Sequence, residues 1–482
     1  MSDNFFRGII VNYGLIGFVT GESPRPGTVR LWVPNGIQEL IPGPAIDLEQ
    51  AVFEPGSQIR LIREGALIES KLRSIHFPDS LVKLDSCCLA YSDSLESVTF
   101  DPESRCTYIE GGAFRNTGIC SFRVPSRVEV VGDECFCGCH RLSVVDIDPA
   151  GNLFSLGKRA FIASGLESFR APPGLAQIGD GCFSSCSSLE SVEFPFECQI
   201  RQLPEGTFSS SEQLQRCVLP PGIEEIGRNC FLCCKIAWIS WAPGNRLEQI
   251  GDGAFLAGKV VRLVIPGTVR ILGENCFACC NSLQEVLFED GDPPLDIYEK
   301  AFGSTFLAKL AFPARLRIIG KNCFKDCTTL TEVTFPEDSR LFRIEEGAFN
   351  GTGLQFLDIP LSVEFLGAKC FKNCKNLGRV TFRDQCPLIS FSRKLFANSG
   401  IHSIEVPIGV EAIERGCFKD CLNLWNLRLL PGLRFIEADA FSGIRSPIDI
   451  PGDIEFFSPV CCGTSAVLGK VVRNLEHIRG RE

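Results

Sequence analysis

Ile178-Gly179-Asp180-Gly181-Cys182-Phe183-Ser184-Ser185-Cys186-Ser187-Ser188-Leu189-Glu190-Ser191-Val192-Glu193-Phe194-Pro195 decides how the chain is read, because its pattern returns along nearly all of the 482 residues. From Cys88 and Leu89 the Cys-Phe position recurs at Cys135, Cys182, Cys230, Cys276, Cys323, Cys370, Cys417 and, degraded, Cys461, in steps of 44 to 48 residues. Between these fall turns marked by Ala-Phe, at Ala113, Ala160, Ala254, Ala301, Ala348 and Ala440, with Ala66-Leu67, Thr207-Phe208 and Leu395-Phe396 as variants. Ala-Phe to Cys-Phe is usually 22 residues and Cys-Phe to the next Ala-Phe usually 25. Two coil types of about 23 residues therefore alternate, a length in the leucine-rich repeat range.

Each coil carries an alternating run such as Leu189-x-x-Val192-x-Phe194 or Leu354-x-x-Leu357-x-Ile359, which reads as a strand. Pro195, Pro220, Pro266, Pro313, Pro360 and Pro407 follow at once, and without an N–H they end each strand. Next comes Val-x-x-Ile/Leu-Gly, as in Val269-Arg270-Ile271-Leu272-Gly273, and then the Cys-Phe or Ala-Phe turn, with room for one or two helical or 3-10 turns. The expected fold is a leucine-rich repeat solenoid of about 20 coils, its parallel β-sheet on the concave face and short helical or 3-10 turns on the convex side. Residues 1–27 fall outside the pattern and are expected to cap the first coil; the solenoid is placed at 28–473, its first two coils degenerate, and a tail at 474–482.

The repeat Ile-Gly-x-x-Cys/Ala-Phe-x-x-Cys-x-x-Leu-x-x-Val-x-Phe-Pro is similar to that of BspA-like leucine-rich repeat proteins, over residues 28–473. That resemblance implies a right-handed curved solenoid and a role as a surface or secreted adhesin binding host or matrix components. The chain departs from it in having no clear secretion signal: Gly8 to Val19 is short, contains Asn12 and lacks a clean basic leader. A cap is the expected role of that stretch, and a cytoplasmic location is preferred to the cell-surface or secreted one.

Twenty-six cysteines raise the question of disulfides or zinc, above all at Cys230-x-x-Cys233 and Cys276-x-x-Cys279. Equivalent cysteines lie two coils apart, roughly 10 Å, beyond disulfide reach. On one helical turn Cys182 and Cys186 would hold their Cβ atoms about 5–6 Å apart, also too far. Alternate coils put Ala where these put Cys, so the thiols are expected as small core filler, which fits a reducing compartment, with no metal and no cofactor. The phenylalanines behind them, Phe114 through Phe441, are expected to stack as a spine in the core.

A formal charge of −10 argues against nucleic acid and anionic membranes as partners, and no apolar run is long enough to span a bilayer. The four histidines, His76, His140, His402 and His477, fall in unrelated parts of the repeat, and no phosphate loop, nucleophile elbow or metal triad accompanies them. The chain reads as a non-catalytic protein-interaction scaffold.

Its binding surface is sought at the outward position of each strand, between the last two core residues: Val52, His76, Thr99, Arg123, Asp146, Arg170, Glu193, Val218, Ser240, Val264, Leu287, Ala311, Thr334, Asp358, Thr381, Glu405, Arg428, Asp449, Val472. Val218 to Ala311 carry no charge, and Trp238, two residues before Ser240, should face the same way beside Arg216 and Arg262. An apolar strip with a Trp and flanking arginines is what a protein-binding hot spot requires. The expected partner surface is thus Arg216, Val218, Trp238, Ser240, Arg262, Val264, Leu287 and Ala311.

Overall fold

The computed structural model describes residues 29–42, 47–383, 385–451, 454–458 and 460–462. The expected cap at 1–27, the tail, His477 and Val472 lie outside the described residues. The chain forms a parallel β-solenoid of about 18 turns of ~23 residues. It divides into two compact units, one ending at Arg246 and one beginning at Leu247.

Each turn passes three stations. The first is the expected strand, as in Ser121–Val124, where Phe122 and Val124 are buried and Ser121 and Arg123 exposed. The proline after it does more than stop the ladder, since its carbonyl accepts the N–H three residues on: Val128 from Pro125, Val269 from Pro266, Val363 from Pro360. That closes a β-turn and turns the chain out of the sheet.

The second station is a two-residue strand within Val-x-x-Ile/Leu, which the sequence reading left without an assignment. In the first unit seven of these strands, Glu39–Leu40 to Gln177–Ile178, form one unbroken parallel ladder. In the second unit Gln249–Ile250 to Phe365–Leu366 form a similar run, and Ser390–Phe391 to Phe456–Phe457 another.

The third station holds Cys-Phe or Ala-Phe, and here the expected helical or 3-10 turns give way to tight turns; no described residue is helical. The cause is backbone handedness. The residue before Cys or Ala and the residue three after it both have positive φ, as at Asn322 (53°) and Asp326 (60°) around Cys323. Left-handed residues at that spacing interrupt helical propagation and aim N–H groups at the next coil. Phe324 N bonds Ala348 O at 2.7 Å, and Asp326 N bonds Asn350 O at 2.9 Å. The turns thus make a third ladder.

Inside it the phenylalanines stack as expected. In the first unit Phe114, Phe136, Phe161, Phe183, Phe208 and Phe231 follow one another at 5.1 to 5.5 Å with ring planes within 15°. In the second, Phe255, Phe277, Phe302, Phe324, Phe349, Phe371, Phe396, Phe418 and Phe441 do the same at 5.2 to 6.0 Å. Offset stacking at these distances is favourable beyond area burial alone.

The first ladder is segmented far more often than the second, and coil length explains where. From Cys182 to the buried Leu189 is seven residues; from Ala160 to the buried Leu166 is six. Strands flanking a seven-residue turn pair along their length: Ser74–Phe77 with Ser97–Phe100, Ser121–Val124 with Val144–Ile147, Arg262–Ile265 with Glu285–Phe288. Most strands flanking a six-residue turn, such as Ser97–Phe100 and Ser121–Val124, fall into separate sheets, while Arg379–Phe382 and Ser403–Glu405 stay in one through a single pair. Thr207 has the long spacing, to Leu214, and its strands Ser191–Glu193 and Arg216–Val218 pair. Cys230 has the short spacing, to Ile236, and only the bridge Val218–Ser240 follows. Length, not the choice of Cys or Ala, sets the register.

In several short turns a glycine makes the tighter path possible. A Cβ on Gly118, Gly165, Gly353 or Gly400 would lie 2.0 to 2.3 Å from a carbonyl oxygen of the preceding coil. No L-residue with a side chain fits there without moving the backbone.

Candidate functional site

The strand face is built by the pleat of the first ladder, and its outward column follows the expected register within each unit. His76 pairs with Thr99, Arg123 with Asp146, Arg170 with Glu193 and Glu193 with Val218. Val264 pairs with Leu287, Ala311 with Thr334, Asp358 with Thr381 and Glu405 with Arg428.

Charge on this face is largely matched from coil to coil. Arg123 meets Asp146 at 3.6 Å, Arg170 meets Glu193 at 3.8 Å, and Arg428 meets Glu405 at 3.2 Å. Such exposed pairs add little stability, about 0–1 kcal/mol each, but they leave the face with little net field. His76 belongs to the same pattern, its Nδ1 2.9 Å from Thr99 Oγ1, a cross-strand hydrogen bond between two exposed side chains.

The candidate residues divide between the units. At the end of the first, Arg216, Trp238 and Ser240 are exposed and Val218 half-buried, with Trp238 70% accessible. Arg216 meets no carboxylate among the described residues. At the start of the second, Arg262, Leu287 and Ala311 are exposed and Val264 half-buried. Arg262 differs from its expected role, because Glu285 on the adjoining strand holds it at 2.8 Å. The sequence reading missed exposed apolar residues in the second unit. Phe356 occupies the other outward column, beside Arg379, and Trp425 and Ile408 lie outside the strands. Only Phe356 had a usable signal, an apolar residue two before an outward Asp.

The cysteines hold a polar position as well as a packed one. Cys186 Sγ donates to the carbonyl of Phe161 at 3.1 Å, and Cys139, Cys234, Cys280, Cys327, Cys374 and Cys421 do the same to the phenylalanine one coil earlier, at 3.0 to 3.2 Å. Burial pushes the Cys139, Cys186, Cys374 and Cys421 thiols up to about 11. A thiol held that way is neither a nucleophile nor a ready metal ligand. In the two zinc-like spacings one cysteine is buried and the other exposed, Cys230 against Cys233 and Cys276 against Cys279, so the pairs do not converge. No group of three His, Cys, Asp or Glu among the described residues is gathered to hold a metal.

Among the described residues, grooves open on the strand face beside short turns. One, of about 410 Å³, lies between Ser97–Phe100 and Ser121–Val124 in the first unit. Another, of about 680 Å³, lies between Arg379–Phe382 and Ser403–Glu405 in the second.

The BspA type leucine rich repeat region matches residues 48–143, 140–256, 248–378 and 342–461. The chain belongs to that family. Among solved structures, this BspA-type chain is similar to a leucine-rich repeat protein from Bacteroides ovatus, at 21% identity and a TM-score of 0.50, over 89% of this chain and 91% of that one. A likeness of that level shows the fold. The pneumococcal vaccine antigen PcpA aligns at 14% identity over 96% of this chain and 93% of that one, with a TM-score of 0.37. A leucine rich cell surface protein from Faecalibacterium prausnitzii aligns at 18% identity over 74% and 90%, with a TM-score of 0.32. No curated protein matches the chain. Among the described residues, no helix is long and apolar enough to cross a membrane.

Proposed function

We propose that this BspA-type solenoid is a non-catalytic scaffold that captures a protein partner on its strand face. One observation carries the reading: Trp238, 70% accessible, lies two residues before Ser240, the bridge partner of Val218, on a face where Arg216 is unmatched and most other charges are paired. An exposed Trp with an arginine and an aliphatic neighbour has the composition of an interface hot spot, where a few residues carry most of the binding energy. Leu287 and Ala311, with Val264, form a second uncharged patch in the other unit and are assigned the same role. The matched charges elsewhere and the net charge of −10 support a protein rather than a polyanionic partner. Thiols acting as buried hydrogen-bond donors support a reducing, cytoplasmic compartment, since oxidation would remove the donor.

The test is affinity capture from the native cell with the wild-type chain, Trp238→Ala and Leu287→Glu. Loss of the captured protein in Trp238→Ala, with an unchanged thermal melt, is the expected result. Full capture by both variants would remove the assignment.

A further inference from the structure

In the second unit one junction of the strand face, held inside a single sheet by one register pair, opens into a groove that defines a ligand. Arg379–Phe382 pairs along its whole length with Phe356–Ile359, and Ser403–Glu405 pairs along its whole length with Asn426–Arg428. Toward each other these two strands share a single register pair, Arg379 with Ser403. The turn between them is a short one, Leu395 to Ile401, and its Gly400 is pressed against Lys375 O. Beyond that one pair the strands part around the groove of about 680 Å³, whose lining includes Phe382, Ile408 and Leu430 and, as its charged residues, Arg379, Arg383 and Glu405.

Two properties of this groove converge. Past the Arg379–Ser403 pair the two strands, though neighbours in one sheet, share no further register pair, and open main-chain edges of this kind are what an extended segment takes up when it adds to a sheet. The groove's two basic groups also outnumber its one acidic group, Glu405. Glu405 is occupied by Arg428 at 3.2 Å and Asp358 by the Thr381 hydroxyl, whereas Arg379 and Arg383 meet no carboxylate among the described residues. Two unmatched guanidiniums beside Phe382, Ile408 and Leu430 face a ligand that brings carboxylates and aliphatic side chains together, and a guanidinium binds a carboxylate through two parallel N–H donors. The groove of the first unit differs: Asp101 and Asp148 line it, and its Arg123 is already matched by Asp146 at 3.6 Å.

We infer that the groove between Arg379–Phe382 and Ser403–Glu405 binds an extended acidic peptide, laid parallel to the strands, with its carboxylates on Arg379 and Arg383 and its aliphatic side chains against Phe382, Ile408 and Leu430. This rests on the reading of the strand face as a protein-binding surface and names the chemistry of one site on it.

The test uses the full chain and a fluorescein-labelled peptide of alternating glutamate and valine, read by fluorescence anisotropy, beside a peptide with lysine at each glutamate. The glutamate peptide binds and the lysine peptide does not. Arg379→Glu and Arg383→Glu each weaken binding by about tenfold or more, the loss of one charge-assisted contact. Ile408→Asp weakens it with an unchanged melt, and Trp238→Ala leaves it alone. Equal binding of both peptides, no binding of the glutamate peptide, or undiminished binding by both arginine variants would overturn the assignment. Loss in Trp238→Ala with full binding by the arginine variants would move the peptide to the Trp238 patch, overturning this groove while leaving the wider reading intact.

Discussion

Thr305 and Cys327, one coil apart, hold the same carbonyl oxygen: Thr305 Oγ1 donates to Phe302 O at 2.9 Å and Cys327 Sγ donates to it at 3.1 Å, the two side-chain atoms 3.2 Å from each other. Thr117 and Cys139 repeat this on Phe114, and Thr352 and Cys374 on Phe349. The second cysteine of the motif therefore supplies a donor in an apolar core, and in these three places the alternate coil supplies the Thr that completes the pair.

The chain itself shows what can replace that thiol. Ser211 stands in the same column and donates to Phe183 O at 2.7 Å. Cys327→Ser should cost less than about 1 kcal/mol, while Cys327→Ala, losing the donor and leaving a small void, should cost about 1–2 kcal/mol. Thermal melts of the two variants check the order; a serine costlier than alanine would contradict the donor role.

Raised thiol values make stability depend on alkaline pH. Cys374 is pushed from 9.0 up to about 11 by burial, so above about pH 9 the unfolded chain sheds a proton that the folded chain keeps. Stability should be insensitive to these groups below pH 9 and fall between pH 9 and 11, most steeply where many thiols contribute. Urea melts across that range should show the decline, and Cys374→Ser should lessen it by up to one proton.

Gly353 and Gly174 separate close approach from ordinary contact. A Cβ at Gly353 would lie 2.3 Å from Thr328 O, whereas one at Gly174 would find nothing nearer than Leu153 O at 3.7 Å. Gly353→Ala should lower stability by about 2 kcal/mol or more and Gly174→Ala by little or nothing. Equal melts would remove the steric account of the short turns.

Phe324 sits between Phe302 at 5.4 Å and Phe349 at 5.4 Å in the stack. Phe324→Ala should cost about 3–5 kcal/mol. Because coils contact mainly their neighbours, amide exchange should rise first in the adjoining turns of the same unit.

The fold was legible wherever period and burial speak together. Phe122, Arg123 and Val124 alternate in sequence and in space, so the outward column could be read residue by residue. The turns were not legible in the same way, because Asn322 and Asp326 take left-handed φ while Lys300 and Ser304 do the same at equivalent places, and no one residue type marks the conformation. The segmented ladder was written in the six- or seven-residue spacing after Cys or Ala, but its meaning appears only when Thr207 and Cys230 are seen to follow length rather than identity. Arg262 was misjudged for another reason: Glu285, its partner at 2.8 Å, belongs to the next coil and to the column beside the one read.

The central claim, that the strand face and not the turn face carries the partner, is tested most directly by site-specific photo-crosslinking in the native cell. A photoreactive residue is placed at Trp238 on the strand face or at Arg115 on the turn face of the same unit. A defined protein adduct from position 238 and none from position 115 is the predicted result; an adduct from position 115 alone would contradict the account.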